Sequence, residues 1–144
     1  MLNIVFENET SYEIDKEFIN KIAQEVSKEE IEFILTNNDE IQEINSTSRG
    51  IDKPTDVLSF PYLDMPNTPL GSIVISADFV KEKSELYGHS FSDELSLLFI
   101  HGLLHLVGFD HEIDNGEHRD GEEKLIKKFN LPNSLIVRTH KGFK

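Results

Sequence analysis

Three histidines carry the chemistry this chain can do. They stand at 101, 105 and 111 in the run HGLLHLVGFDH, with the spacing HxxxHxxGxxH. Four residues apart on a helix places His101 and His105 on one face, about a turn apart. Gly108 then lets the chain turn, and His111 brings a third ring nitrogen back over the first two. Three neutral imidazoles with an open fourth position are the usual catalytic zinc site, where a bound water is acidified towards neutrality. A structural zinc would want a fourth protein ligand; without cysteine it would come from Asp110, Glu112, Asp114 or His118. The alternative to a metal is three histidines met by chance. Half of the chain's six histidines lie within these eleven residues, however, and two are on its least polar segment. Unpaired imidazoles buried there would cost roughly 1–3 kcal/mol each. Zinc peptidases with the same spacing place a glutamate base directly after the first histidine. Gly102 occupies that position and can neither take nor orient a proton, which argues against a peptidase.

These side chains need a rigid frame. A helix running from a cap at Ser90 or Ser92 to Val107, stopped by Gly108, would be apolar nearly all round, and is read as a central helix packed on a sheet. Asp93 and Glu94 suit its positive end. Residues 2–6 and 31–35 read as strands, the second with Ile31, Phe33 and Leu35 on one face. Between them Phe18, Ile19, Ile22 and Val26 recur at helical spacing after a capping Asp15. Residues 39–44 read as a short helix, 45–48 as a polar connection, and 57–60 and 72–75 as two more strands. Ser76 is placed to cap a helix ending at Gly88, and a last helix covers 117–129. Pro66 and Pro69 break regular structure between residues 62 and 71. The expectation is an α+β fold: one domain over residues 1–144, with a four-stranded mixed sheet packed by about five helices and the histidine helix central.

Composition fits that reading. At 144 residues, 38% hydrophobic and 28% charged, the chain has one domain's length and enough apolar material for a core. The absence of cysteine excludes disulfides, thiolate zinc sites, iron–sulfur clusters and cysteine nucleophiles. No basic leader opens the sequence, and no apolar run approaches the roughly 18–20 residues that span a bilayer, so a cytoplasmic protein with no membrane association is expected. A net charge of −13 argues against holding nucleic acid by general phosphate neutralisation. It leaves room for a local basic patch, since six of the 14 bases fall between Lys124 and Lys144.

The histidine run resembles the HGxLHLxGYDH signature of the YbeY endoribonucleases, with Phe109 in place of a tyrosine. A second family segment is matched by RGIDKPTDVLSFP at residues 49–61. Both motifs occur in the family's order, and the resemblance extends over most of the chain. It implies one zinc ion on His101, His105 and His111, and a single-strand-specific endoribonuclease acting in rRNA maturation, at the 3′ end of 16S rRNA, and in ribosome quality control. It implies Arg49 as the functional arginine, and the catalytic set becomes Arg49, His101, His105 and His111. A guanidinium there can neutralise charge building on a pentacovalent phosphorus. Arg49 and Lys53 are the expected RNA contacts, within a local positive surface that includes Arg119; Lys124, Lys127 and Lys128 either extend it or, as the favoured reading has it, form a solvated helix face. Partners follow as single-stranded rRNA and the small ribosomal subunit or a basic ribosomal protein, which strong acidity favours. Asp56 is read as a turn cap or an orienter of an imidazole, Asp110 as a base or a turn residue, and the tail Arg138 to Lys144 as an RNA or protein contact or a fraying end. Two positions depart from the family: Ser72 replaces an acid and His118 a methionine. The competing reading is a metal-stabilised ribosome-assembly factor that does not itself cut, which accounts for the missing base at Gly102.

Overall fold

The structure, a computed structural model, describes residues 3–62, 69–107 and 117–132. Strands β1 (Ile4–Asn8), β2 (Ile31–Thr36), β3 (Val57–Pro61) and β4 (Gly71–Ser76) form one sheet in the order β1-β2-β4-β3. The first three strands in that order run parallel, and β3 lies antiparallel on the β4 edge, so the sheet is mixed. Helices α1 (Lys16–Gln24), α2 (Asn38–Arg49), α3 (Ala77–Tyr87), α4 (Phe91–Leu106) and α5 (Glu117–Lys128) complete the expected α+β architecture.

Alternation along the strands sorts the side chains between two faces. Ile31, Phe33 and Leu35 of β2 and Ile73 and Ile75 of β4 enter the main core with Ile19 and Ile22 of α1, Val80 of α3 and Leu125 of α5. The register sets Phe33 opposite both Phe6 and Ile73, and the Phe33 ring lies 5.3 Å from that of Phe99 on α4. On the other face Leu58 and Val74 pack under Ile41 of α2, with Ile34, Ile44 and Phe60 around them. Helix α4 thus lies on one side of the sheet and α2 on the other.

Local chemistry explains the element ends. Asp15 accepts the Phe18 amide at 3.1 Å and starts α1; Ser90, rather than Ser92, caps α4 by accepting the Asp93 amide at 3.0 Å. Gly50 and Gly88 end α2 and α3 at positive φ, where a side chain would be strained. Two expectations need correction. Residues 45–48 continue α2 instead of leaving it: the inward position is Asn45, only 4% exposed, whose amide donates to the Lys53 carbonyl at 2.9 Å. A buried amide does not read as a helix face in a hydrophobic pattern. Ser76 makes no side-chain cap; its hydroxyl donates to Asn38 Oδ1 at 2.7 Å, tying the start of α3 to that of α2. Helix α4 ends at Leu106 with Val107 as its cap residue, while Gly108 lies outside the described residues. Helix α5 stops at Lys128, one residue short of the expected end. Most of the break between residues 62 and 71, including Pro66, also lies outside them. Among the described residues no helix is long and apolar enough to cross a membrane.

Candidate metal centre

Helix α4 is held against the sheet by an absence of side chain. A Cβ on Gly102 would meet Ser59 Oγ at 2.9 Å, Ile73 Cγ2 at 3.1 Å and Val57 Cγ2 at 3.2 Å. The gap is closed by Ser59, which donates its hydroxyl to the Gly102 carbonyl at 3.0 Å. The position that carries a glutamate base in zinc peptidases therefore faces the sheet here, where a side chain would crowd Ser59, Ile73 and Val57.

The residues on either side point elsewhere. From Glu94 to Leu106 every residue of α4 is buried except His101 and His105, which are half-buried. Their rings stand 4.7 Å apart at 73°, and the two Nε2 atoms approach to 3.2 Å. Two nitrogens bound to one tetrahedral zinc at 2.0–2.1 Å are separated by about 3.3 Å, so the pair has the spacing of two ligands of one ion. The other nitrogen of His101, Nδ1, lies 3.3 Å from Oε2 of Glu122, a carboxylate on α5 that is only 1% exposed. Metal-bound histidines usually offer their second nitrogen to such a group. Neutral imidazoles backed by a carboxylate are a donor set that suits zinc.

Sequence reasoning did not find Glu122. Its signal was its spacing: three and four residues before Leu125 and Ile126, it shares the inward face of α5. Gly121 beside it lets the helices approach, since a Cβ there would meet Leu104 Cδ1 at 3.3 Å. A second buried carboxylate, Glu94, is fully covered and pairs with His89 Nε2 at 2.7 Å, a role beyond favouring the helix N-terminus.

His111, Asp110, Glu112, Asp114 and the tail from Arg138 lie outside the described residues, as do the side chains of His118 and Arg119. Among the described residues no three His, Asp or Glu side chains converge as a metal site, so the third donor of the expected set is not placed. Arg49 and Lys53 are exposed, Arg49 as the last residue of α2 rather than in a loop. Neither is brought into hydrogen-bonding contact with the histidine pair. The turn between them is pinned: Asn45 holds the Lys53 carbonyl and Gln42 donates to Asp52 Oδ1 at 3.0 Å. Lys124 and Lys127 are exposed, whereas Lys128 pairs with Glu25. Asp56 accepts the Val57 amide at 2.8 Å and the Thr55 hydroxyl at 3.3 Å, which is the turn-capping role. Ser72 is 7% exposed beneath Tyr62, away from the histidines.

Comparison with known proteins adds an independent observation. A family model described as Endoribonuclease YbeY matches residues 4–130. Endoribonuclease YbeY of Sulfurimonas denitrificans is 58% identical over 136 residues, covering 94% of this chain and 98% of that protein. The protein of the same name from Aliarcobacter butzleri is 61% identical over 139 residues, with the same coverage of each. Among solved structures, the solution structure of TM1509 from Thermotoga maritima superposes with a TM-score of 0.62 at 30% identity, covering 88% of each chain.

Proposed function

The chain belongs to the YbeY endoribonuclease family, and from that premise we propose that it is a zinc-dependent endoribonuclease specific for single strands, acting in rRNA maturation and ribosome quality control. The observation that carries the zinc reading is the 3.2 Å approach of the His101 and His105 Nε2 atoms, with Glu122 behind His101. His101, His105 and His111 are the proposed ligands of one ion, within a single domain spanning residues 1–144. Zinc held by three imidazoles supplies a Lewis acid for a phosphoryl oxygen and lowers the pKa of water.

The chain's own side chains do the rest. Arg49 offers a planar fork of donors to a phosphate, more strongly as charge builds on its equatorial oxygens. Lys53, on the same pinned turn, contacts the neighbouring phosphate. Gly102 has no side chain to act as base, so proton transfer falls to a group other than the one zinc peptidases use. The proposed substrate is the 3′ region of 16S rRNA, with the small ribosomal subunit or a basic ribosomal protein as partner in the cytoplasm.

The test is cleavage of a single-stranded RNA spanning that 3′ end by zinc-loaded protein, chelated protein, His101→Ala and Arg49→Ala. Cleavage should need the metal and drop by about 10²-fold or more in each variant, the scale of removing one group that stabilises transition-state charge. Cleavage unchanged in His101→Ala would assign it to a contaminant. Absence of cleavage with retained binding to the small subunit would favour an assembly factor instead.

A further inference from the structure

We propose that Ile51 is a nucleobase contact: an unpaired base of the RNA packs on its exposed side chain while Arg49 and Lys53 hold the neighbouring phosphates. The proposal deepens the RNA reading above and rests on it.

Phosphate contacts alone do not read bases, and a duplex presents phosphates as a single strand does. A preference for single strands needs a surface that meets the faces of bases, which are splayed out in a single strand and stacked away in a duplex. Among the described residues four large apolar side chains are exposed: Val5, Ile51, Tyr62 and Leu86. Single exposed apolar residues are ordinary on a protein surface, so position decides between them. Of the four, only Ile51, 44% exposed, has a cation two residues away on each side, Arg49 and Lys53. All three residues are exposed.

The turn that carries them is held by its own hydrogen bonds. Gly50 ends α2 at a φ of 71°, and its N–H donates to the Ser46 carbonyl at 3.0 Å. The Ile51 N–H donates to the Asn45 carbonyl at 3.4 Å, and the Asn45 side-chain amide donates to the Lys53 carbonyl at 2.9 Å. Buried Asn45 thus ties both ends of the segment from Ile51 to Lys53, so the backbone beneath the apolar side chain has little freedom left to lose on binding. Asp52 is the one charge in that segment that repels a phosphate. Gln42 donates to its Oδ1 at 3.0 Å, which ties the carboxylate to α2. What remains for an RNA is an apolar side chain between two cations.

Fluorescence anisotropy tests this on the zinc-loaded protein, with a labelled single-stranded RNA, the same strand paired to its complement, and an abasic strand of equal length. Ile51→Ala should weaken binding of the intact single strand about 3- to 10-fold, the scale of losing part of one apolar side chain's burial, and leave the duplex and the abasic strand unchanged. Its log–log salt slope should match wild type, because no phosphate contact is lost, whereas Arg49→Ala should flatten it. Ile51→Trp should bind the single strand at least as tightly as wild type, since an aromatic face stacks on any base. An Ile51→Ala variant that binds all three strands as wild type does would overturn the proposal. Equal losses on the intact and abasic strands would also overturn it, as would a loss of binding to the small ribosomal subunit with RNA binding intact, which would make Ile51 a protein contact. The expected pattern in a protein that cuts no RNA would support the contact and refute the nuclease reading. No binding of the single strand by wild type would overturn both.

Discussion

At the scale of single residues, burial makes each polar side chain answerable for its partners. Glu94 and Glu122 are both essentially covered, and each reaches a histidine: His89 for the first and His101 for the second. The sequence exposed the histidines but not their carboxylates. A cluster of imidazoles at 101, 105 and 111 is rare enough to see, whereas an acid in EHRDGEEKLIKK is indistinguishable by type from its solvated neighbours. Only the spacing from Leu125 and Ile126 marks it.

Tyr62 gives a residue-scale prediction with a sign. The Ser72 hydroxyl beside it lowers its pKa, but partial burial and the Glu32 carboxylate, which accepts the Tyr62 hydroxyl at 2.8 Å, outweigh that and raise it above the ordinary 10.0. A folded-state pKa raised in this way contributes stability that is fully present below the unfolded value and is lost as pH rises through the folded one. The interaction is therefore silent across neutral pH and weakens only above about pH 10. Spectrophotometric titration should show one tyrosine ionising late in wild type, and earlier in Glu32→Gln, where the amide still accepts but carries no charge. A late phase that survives Glu32→Gln unchanged would sink this account.

At the scale of elements, the helix that carries the site is positioned by one glycine. Adding a Cβ at 102 crowds Ser59, Ile73 and Val57, and overpacking of this kind costs about 1–3 kcal/mol. Alanine gains up to about 1 kcal/mol over glycine in a helix interior, which offsets part of it. Gly102→Ala should therefore break the hydrogen bond from Ser59 and lower stability by about 1 kcal/mol, read from the midpoint of urea unfolding. A variant as stable as wild type would show that the helix can shift without cost. The strands and α1 were legible because their apolar positions alternate or recur every three to four residues. Helix α2 was half legible: Ile41 and Ile44 marked its first turns, but Asn45 took the next inward place and disguised the rest. The difference matters for function, since Arg49 is the last residue of a capped helix, with its turn tied back by Asn45 and Gln42, and not a loop residue.

At the scale of the whole molecule, charge sets how RNA is met. With 27 acids against 14 bases, the proposed contact rests on few cations, chiefly Arg49 and Lys53. Neutralising about two phosphates of a single strand gives a log–log salt slope of roughly −1.4, and Arg49→Ala should reduce its magnitude by about 0.7. Fluorescence anisotropy of a labelled RNA across a salt series measures this. A slope several times steeper would mean that basic residues such as Lys124 and Lys127 also grip the strand. Composition and length had already bounded the class, and the mixed sheet followed from the order of elements. The sheet order β1-β2-β4-β3 and the packing of α2 and α4 on opposite faces were not legible, because neither follows from local periodicity.

The near-complete enclosure of α4 between the sheet and its neighbouring helices also governs how the protein fails. Its amides should exchange with deuterated water only when the whole domain opens, because they lie within the main core. The histidine pair is therefore expected in the slowest-exchanging unit of the molecule. Flexible loops at many active sites melt ahead of the scaffold, so that activity disappears before the fold does. Here the paired imidazoles should persist as long as the fold, and their thermal disruption should coincide with global melting instead of preceding it.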